Sequence, residues 1–351
     1  MARIPVGLVG VTGYAGMELV RLLAGHPDLE LVQATSRQHA GTPLGQLYPF
    51  LHGRPEAKIV VQSPDSATLA AACRLVFLAV PHGAAMEVSA QLLKAGTKVV
   101  DLSADFRLRD PEVYAKWYGL PHQQRALLEE AVYGLPELYG HKVTEATRLV
   151  ANPGCYPSGI ILGLVPALRE GVISSRDIVA DAKSGASGAG RKPSTGTLYC
   201  EVSDTLRAYG LGTHRHTPEI EQELAVAADS PVTISFSPHL VPMNRGILAT
   251  SYGRMQQPLS LEEVHALYTS CYADAPWVRV LPEGTLPETR WVRGTMFCDI
   301  GLVVDRRTDR LLVVTAVDNL CRGASGQAIA NANRMLGLEP CTGLDLPPMM
   351  P

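Results

Sequence analysis

The alternation of short apolar segments with helix-forming segments over residues 6–102 limits the possible folds of this chain more than any other feature. Strands are expected at 6–11, 29–35, 75–80 and 98–102, with helices at 16–24, 67–73 and 84–95. Strands joined by helices of this length form βαβ units on a parallel sheet, and short apolar strands are typical of a sheet covered on both faces. The first part of the chain therefore predicts an α/β domain of the Rossmann type.

The pattern changes after residue 154, where strand-forming stretches become alternating or β-branched. An apolar helix is expected at 160–169, and further helices at 218–228, 261–272 and 326–336. Strands are expected at 178–183, 233–236, 246–252, 297–304 and 311–317. This mixture predicts an α+β second domain built on a largely antiparallel or mixed sheet.

The composition of the 351 residues excludes several classes of protein. The net charge is −3 and basic residues do not cluster, so neither a nucleic-acid partner nor a membrane surface is expected. No apolar stretch reaches the roughly 18 residues of a spanning helix, and the N-terminal segment lacks the features of a secretory signal. The seven cysteines are scattered without a CxxC pair, which predicts reduced thiols in the cytoplasm and no metal site.

A glycine-rich segment joins the first predicted strand to the first predicted helix. Glycines permit a tight turn and let backbone N–H groups approach a pyrophosphate at a helix N-terminus. The spacing is GxxGxxG rather than GxGxxG, so a simple packing turn is the alternative. Its position at the start of a βαβ array favours a dinucleotide site. The candidate cofactor-binding residues are Gly10, Thr12, Gly13, Tyr14, Ala15 and Gly16.

The end of the second predicted strand discriminates between the two nicotinamide cofactors. NAD sites often place an acidic residue there to hold the ribose 2′-hydroxyl. This chain has Ser36 and Arg37 instead, and a hydroxyl beside a guanidinium suits a 2′-phosphate. NADP is therefore the expected cofactor, and a solvated arginine in a loop is the alternative.

Cys155 is the one cysteine whose surroundings predict reactivity. It follows Asn-Pro-Gly at 152–154 and precedes Tyr-Pro and an apolar helix. Pro157 suits the first turn of a helix, which places the sulfur near a helix N-terminus. The aligned peptide dipoles there favour a thiolate and lower the pKa of a thiol. A structural cysteine at the end of a strand is the alternative.

A histidine-rich run at 213–221 precedes the helix predicted from residue 218. Thr217 is predicted to be the N-cap of that helix, and Pro218 its first residue. Both histidines of the run therefore lie just ahead of a helix. His239, farther along the chain, is interpreted as structural.

This run offers the proton-transfer partner that a reactive thiol requires. We expect His216 to carry the proton, with His214 and Arg215 as alternatives for binding a substrate anion. Glu219 or Glu221 would orient an imidazole. The sequence leaves the choice between the two histidines open.

Several motifs, in order along nearly the whole chain, resemble the N-acetyl-γ-glutamyl-phosphate reductase family of the arginine pathway. They are GVTGYAG at 10–16, NPGCYP at 152–157, KSGASGAGR at 183–191, HRHTPEI at 214–220, PHLVPM with a following RG at 238–246, and DNL with GASGQA at 318–328. The cysteine motif, with a proline on each side, is the most specific. Ser158 departs from the more frequent threonine of the family but retains the hydroxyl.

The resemblance implies a domain organisation and further site residues. We expect a Rossmann-type NADP-binding domain at 1–154, a catalytic and dimerisation α+β domain at 155–318, and a segment at 319–351 whose helix returns to the first domain. A homodimer or homotetramer is expected. The further cofactor-binding candidates are Ser184, Gly185, Asn319 and Gly323. The substrate-binding candidates are Arg107, Asn152, Ser187, Arg191 and Arg215, and Ser184 and Gly185 are also considered for the phosphate region.

The resemblance also implies the reaction, which is NADPH-dependent reduction of N-acetyl-γ-glutamyl phosphate to its semialdehyde through a thioester on Cys155. The lysine-pathway homologue, which reduces aminoadipyl phosphate on an acidic carrier protein, would share these motifs and is the main alternative. Aspartate-semialdehyde dehydrogenase fits less well because the context of its cysteine differs. A non-catalytic NADP-binding sensor would lack the thiol and histidine pair that this chain has.

Overall fold

The computed structural model describes residues 2–350, and the contacts within it divide the chain into two compact units. The first comprises residues 2–153 and 324–345, and the second comprises 154–323 and 346–350. The sequence predicts that all of 319–351 packs on the first domain. Residues 319–323 instead belong to the second unit, as does Met349, whose backbone carbonyl accepts hydrogen bonds from Arg293.

The first unit is built on a six-stranded parallel sheet. Its strands are β1 (Ile4–Val9), β2 (Leu29–Thr35), β3 (Leu75–Leu78), β4 (Lys98–Asp101), β5 (Val132–Tyr133) and β6 (Leu149–Ala151). They lie in the order β2-β1-β3-β4-β6-β5. The predicted Rossmann-type sheet is confirmed, and β1 to β4 lie within two residues of their expected bounds. The sequence does not predict β5 and β6, because strands this short show no recognisable periodicity.

Helices connect these strands as βαβ units require. In chain order they are α1 (Tyr14–Leu23), α2 (Leu44–Leu47), α3 (Ser66–Ala72), α4 (Ala85–Lys94), α5 (Pro111–Tyr118), α6 (Arg125–Glu130) and α7 (Pro136–Tyr139). The chain passes from β1 to β2 on one side and to β3 on the other. The loop after β1 therefore lies at the switch point of the sheet, where doubly wound folds bind their ligands.

The second unit contains a seven-stranded mixed sheet. Its helices are α8 (Cys155–Arg169), α9 (Tyr199–Val202), α10 (Thr217–Ala228) and α11 (Leu261–Cys271). Its strands are β7 (Ile178–Gly185), β8 (Arg207–Ala208), β9 (Ile234–Val241), β10 (Ile247–Arg254), β11 (Val278–Val280), β12 (Cys298–Asp305) and β13 (Arg310–Val317), in the order β11-β12-β13-β10-β7-β9-β8. Only β7–β9 and β11–β12 are parallel pairs, which confirms the predicted mixed sheet.

Helix α8 is the central element of the second unit, and residues 156–168 are all buried. The helix begins at Cys155, so the start expected at residue 160 was wrong. Gly159 hides this start because glycine disfavours a helix interior. A Cβ on Gly159 would lie 3.2 Å from Thr315 Oγ1, so the glycine lets the helix approach β13 closely. Ser158 completes the first turn by donating its hydroxyl to the Gly154 carbonyl at 2.9 Å.

The last helix, α12 (Gly326–Met335), belongs to the first unit, as predicted. Its Asn331 side chain donates to the Gly134 carbonyl at 2.8 Å, and Lys98 donates to the Met335 carbonyl at 2.9 Å. These bonds attach the helix to segments that are distant in sequence but lie in the same unit.

Two kinds of feature are absent from residues 2–350. None of the helices in this range has both the length and the apolar character needed to cross a membrane. No group of three or more His, Cys, Asp or Glu side chains within the same range is arranged to hold a metal ion.

Candidate active site

The glycine-rich turn between β1 and α1 is shaped by two glycines that no other residue could replace. Gly10 has φ +89°, and a Cβ there would lie 2.2 Å from the Ala79 carbonyl oxygen. A Cβ on Gly16 would lie 2.3 Å from the Gly10 carbonyl oxygen. Gly10 therefore needs to be glycine for its left-handed backbone and for packing, and Gly16 for packing alone.

Gly13 differs, because the protein itself does not require a glycine there. It is the N-cap of α1, has φ −73°, and a Cβ on it would meet only the Gly10 carbonyl oxygen, at 3.8 Å. A glycine at this position keeps the N-terminus of α1 open, and the first N–H groups of a helix have no acceptor within it. A packing turn explains Gly10 and Gly16 but not Gly13, which leaves room for an anion at the helix N-terminus.

Ser36 and Arg37 follow the end of β2, and the Ser36 hydroxyl lies near that of Thr12 in the glycine-rich turn. Thr12 Oγ1 and Ser36 Oγ are 3.4 Å apart, and the Ser36 backbone N–H donates to the Gln62 carbonyl. Arg37 is exposed, and among residues 2–350 it forms no ion pair. The guanidinium is therefore available to an anion outside the chain.

Cys155 is the first residue of α8 and is half-buried. The preceding N–H, that of Gly154, donates to Glu219 Oε1 at 2.7 Å. Glu219 is 1% exposed and lies in the first turn of α10. This buried hydrogen bond joins the N-termini of two helices next to Cys155.

Gly323 packs directly against the cysteine. A Cβ on Gly323 would lie 2.8 Å from Cys155 Cβ and 3.0 Å from its Cα. The resemblance implied Gly323 as a cofactor contact. Its observed contact is with Cys155, and this contact explains why no larger residue fits there.

The rings of His214 and His216 lie together beside the ring of Tyr156, which is the residue after Cys155. The rings of His214 and His216 have centroids 4.9 Å apart, and the Tyr156 ring is 5.6 Å and 6.0 Å from them. The backbone N–H of His216 donates to His214 Nδ1 at 3.1 Å, so the proton of a neutral His214 is on Nε2. Burial, with a contribution from the charge of Arg215, lowers the pKa of His214 to about 4.

The helix that follows starts one residue earlier than expected. His216, not Thr217, is the N-cap residue of α10, and its side chain makes no capping hydrogen bond. The expected N-cap was wrong because a proline fits the second helical position as well as the first. His216 is consequently fixed at the helix end by its backbone carbonyl, which accepts from Ile220.

The two carboxylates that the sequence left open have different surroundings. Glu219 reaches the Gly154 N–H beside the cysteine, whereas Glu221 accepts from the Ile234 N–H at 3.1 Å, at the start of β9. Burial raises the pKa of Glu221. Of the two carboxylates, that of Glu219 is the one that lies beside Cys155.

The remaining predicted residues of the second unit lie around the end of β7. Asn319 accepts from the Gly246 N–H at 2.8 Å and donates to Ser187 Oγ at 2.9 Å. A Cβ on Gly185 would lie 2.8 Å from the Asn244 backbone, so this glycine permits a close crossing. Ser184 is buried and lies within hydrogen-bonding reach of the Tyr156 hydroxyl.

The four other substrate-binding candidates divide into buried and exposed residues. In the first unit, buried Arg107 donates to the carbonyls of Asn152 and Leu102, both at 2.8 Å. The Asn152 side chain donates to the Ala324 carbonyl at 3.0 Å. These bonds hold the carboxyl ends of β4 and β6. In the second unit, Arg191 and Arg215 are exposed.

A pair of tyrosine hydroxyls adjoins the cysteine, and the sequence analysis assigned no role to either. Tyr156 and Tyr209 have their hydroxyl oxygens 2.9 Å apart. Burial raises the pKa of Tyr209 to about 12 and raises that of Tyr156 further, and the nearby Cys155 charge adds to both shifts. Both phenols therefore stay neutral. Tyr156 was recognisable by its place next to the cysteine, whereas nothing near Tyr209 in the sequence marks it.

Two family models match the chain. One, described as the NAD binding domain of semialdehyde dehydrogenase, covers residues 5–146, and the other, described as its dimerisation domain, covers residues 155–319. Together they account for most of the chain.

Curated relatives match over nearly the full length. The chain is 51% identical to an N-acetyl-gamma-glutamyl-phosphate reductase from Citrifermentans bemidjiense, over 99% of this chain and 100% of that one. It is 48% identical to the protein of the same name from Desulfotalea psychrophila, again over 99% and 100%.

Solved structures with this fold include aspartate semialdehyde dehydrogenases. The enzyme with NADP from Candida albicans has a TM-score of 0.67 at 19% identity, over 95% of this chain and 99% of that one. The enzyme II from Vibrio cholerae has a TM-score of 0.70 at 14% identity, over 95% and 99%. At these identities the likeness shows the fold.

Replacing Gly13 with alanine separates a dinucleotide site from a packing turn. The added Cβ fits the protein, so Gly13→Ala should leave the free energy of unfolding within about 0.5 kcal/mol of the original. It should weaken binding of a nicotinamide dinucleotide by about tenfold, or 1.4 kcal/mol, because the methyl group occupies the helix N-terminus. Denaturant unfolding and calorimetric titration measure the two effects. Gly16→Ala is the control that should lower stability, and unchanged nucleotide affinity in Gly13→Ala would support the packing turn.

Proposed function

Because this chain belongs to the N-acetyl-γ-glutamyl-phosphate reductase family, we propose that it reduces N-acetyl-γ-glutamyl phosphate to N-acetylglutamate γ-semialdehyde and phosphate, using NADPH. The observation that carries the proposal is Cys155 at the N-terminus of α8, between Gly154, whose N–H donates to buried Glu219, and Tyr156, whose ring lies against two imidazoles. The substrate is a small-molecule acyl phosphate, and the reaction is reversible.

In the first step the Cys155 sulfur attacks the acyl carbonyl. A carbon–sulfur bond forms, the carbon–oxygen bond to phosphate breaks, and phosphate leaves with the electron pair, so that a thioester remains on Cys155. The Gly154 N–H is already bonded to Glu219. We therefore assign an oxyanion donor to the N–H group of Tyr156, which lies in the first turn of α8. One such donor contributes about 3 kcal/mol to the transition state.

His216 is the proposed proton carrier for this step. With a pKa of about 4, His214 stays neutral at physiological pH, and its Nδ1 accepts from the His216 N–H. His214 is therefore a hydrogen-bond donor through Nε2, suited to a substrate oxygen. His216 takes the thiol proton and passes it to the departing phosphate. Arg215 and Arg191, both exposed, are the proposed contacts for the anionic groups of the substrate.

The cofactor fits the first unit. We propose that the N-terminus of α1 binds the pyrophosphate through residues 10–16, and that Ser36 and Arg37 bind a 2′-phosphate. The open N-cap at Gly13 and the exposed guanidinium of Arg37 support this assignment. When bound, NADPH supplies the hydride that converts the thioester to the aldehyde level. The Cys155 sulfur then leaves the carbonyl carbon as a thiolate, and His216 returns to it a proton taken up from solvent, which restores the thiol for another substrate.

We further propose a homodimer or homotetramer in the cytoplasm. The description of the model that matches residues 155–319 supports an oligomer built on the second unit. A reducing compartment suits the seven free thiols, because an oxidised Cys155 could not attack a carbonyl.

Exchanging Arg37 tests the choice of NADP. Arg37→Glu should weaken NADPH binding by about tenfold or more while leaving NADH binding nearly unchanged, because a carboxylate repels the 2′-phosphate. Calorimetric titration with both cofactors measures the ratio. Arg54→Glu, at another exposed arginine of the first unit, controls for the change in overall charge. An unchanged preference in Arg37→Glu would contradict the assignment.

A single assay tests the function and ranks its alternatives. Phosphate-dependent reduction of NADP by N-acetylglutamate γ-semialdehyde should be faster than with the aminoadipate or aspartate semialdehydes. Cys155→Ser should lower this rate by at least about 10⁴-fold, because the covalent step is lost, while NADPH still binds. A higher rate with the aminoadipate semialdehyde would favour the lysine-pathway homologue. Cofactor binding without any turnover would favour a sensor.

A further inference from the structure

The segment that packs on the nucleophile is shaped by one buried carboxylate. We refer to residues 318–323, which end at Gly323, as the 318–323 loop. Asp318 is fully buried, and its Oδ1 accepts from the N–H groups of Leu320 and Cys321, both at 2.8 Å. The Gly323 N–H donates to the Asp318 carbonyl at 2.8 Å. A carboxylate that binds the following N–H groups of its own chain sets the course of a tight loop.

Arg245 holds this carboxylate from outside the loop. Its Nε and Nη2 donate to the two oxygens of Asp318 at 2.9 Å and 3.0 Å, and Gly294 N–H adds a third bond from another segment at 2.7 Å. A bidentate guanidinium fixes direction as well as distance. The Asn319 bond to the Gly246 N–H attaches the loop to the residue next to Arg245.

We propose that Arg245 and Asp318 are positioning residues for Cys155. Their ion pair fixes the 318–323 loop, and Gly323 at the end of the loop leaves no free space beside the Cys155 Cα and Cβ. The sulfur is thereby held at the first turn of α8. The inference rests on the proposed function only for the identity of Cys155 as the nucleophile.

A purely structural ion pair is the competing explanation, and the second unit contains a matched example. Arg279 donates to Asp299 through the same two nitrogens, at 2.6 Å and 2.9 Å, and Asp299 is also fully buried. Among residues 2–350, the hydrogen bonds of Arg279 and of the Asp299 side chain reach each other and the Trp291 carbonyl, and none reaches the 318–323 loop. Arg279→Gln therefore controls for the loss of an ion pair with a buried aspartate.

The experiment compares Arg245→Gln, Arg245→Lys and Arg279→Gln in the full-length protein. Three quantities are measured: kcat with its KM values, the thermal unfolding midpoint, and iodoacetamide alkylation of Cys155 relative to exposed Cys200, by peptide mass spectrometry. Misplacing a reacting group by about 1 Å costs on the order of 10²-fold in rate. Arg245→Gln should therefore lower kcat by roughly tenfold to a hundredfold, with a lower alkylation ratio and nearly unchanged KM for NADPH. Arg245→Lys, which keeps the charge without the bidentate geometry, should fall between this variant and the original.

Arg279→Gln should lower the unfolding midpoint comparably and leave kcat and the alkylation ratio within about twofold of the original. If Arg245→Gln fails to fold, Arg245→Lys decides the question through its kcat and its alkylation ratio, each compared with the original protein. The proposal is overturned if the folded Arg245 variants match Arg279→Gln in both kcat and alkylation. If the original protein turns over no acyl phosphate, the proposed function fails, and the alkylation ratio still decides whether Arg245 positions Cys155.

Discussion

The residue at which α8 begins is the constraint on which the proposed site depends. Glu219 accepts from the N–H of Gly154, the N-cap residue of α8, and the helix begins at the next residue, Cys155. The carboxylate is buried, and breaking this hydrogen bond would leave the Gly154 N–H without that acceptor. A start one residue later would place the sulfur outside the helix and away from the N–H groups of its first turn.

Segments that are distant in sequence converge on this helix start. The N-terminus of α10 brings Glu219 and the two histidines, and the end of β13 leads into the loop that carries Gly323. The Tyr156 ring lies against both imidazoles, and its hydroxyl meets that of Tyr209. Cys155 and its two chain neighbours therefore contact groups from separate segments, an arrangement that favours precise positioning.

The sequence predicted the sheet of the first unit but not the hydrogen bonds around Cys155. Strands β1 to β4 were predictable because apolar runs and glycine turns are local patterns. The positions of Cys155 and His216 near helix N-termini were predictable because a proline follows each of them by two residues. The pairing of Arg245 with Asp318 was not, because 73 residues separate the partners and each residue alone is unremarkable. The hydrogen bonds of Arg107 to backbone carbonyls could likewise not be predicted from the sequence, because its partners are main-chain atoms.

The proposed reaction depends on a thioester at Cys155, which can be detected on the acylated protein. The protein is mixed with N-acetyl-γ-glutamyl phosphate in the absence of NADPH, quenched in acid, digested and weighed by peptide mass spectrometry. The peptide containing Cys155 should gain one N-acetylglutamyl group, and NADPH added before the quench should remove it. An unmodified Cys155 in a preparation that still reduces the acyl phosphate when NADPH is supplied would rule out the thioester.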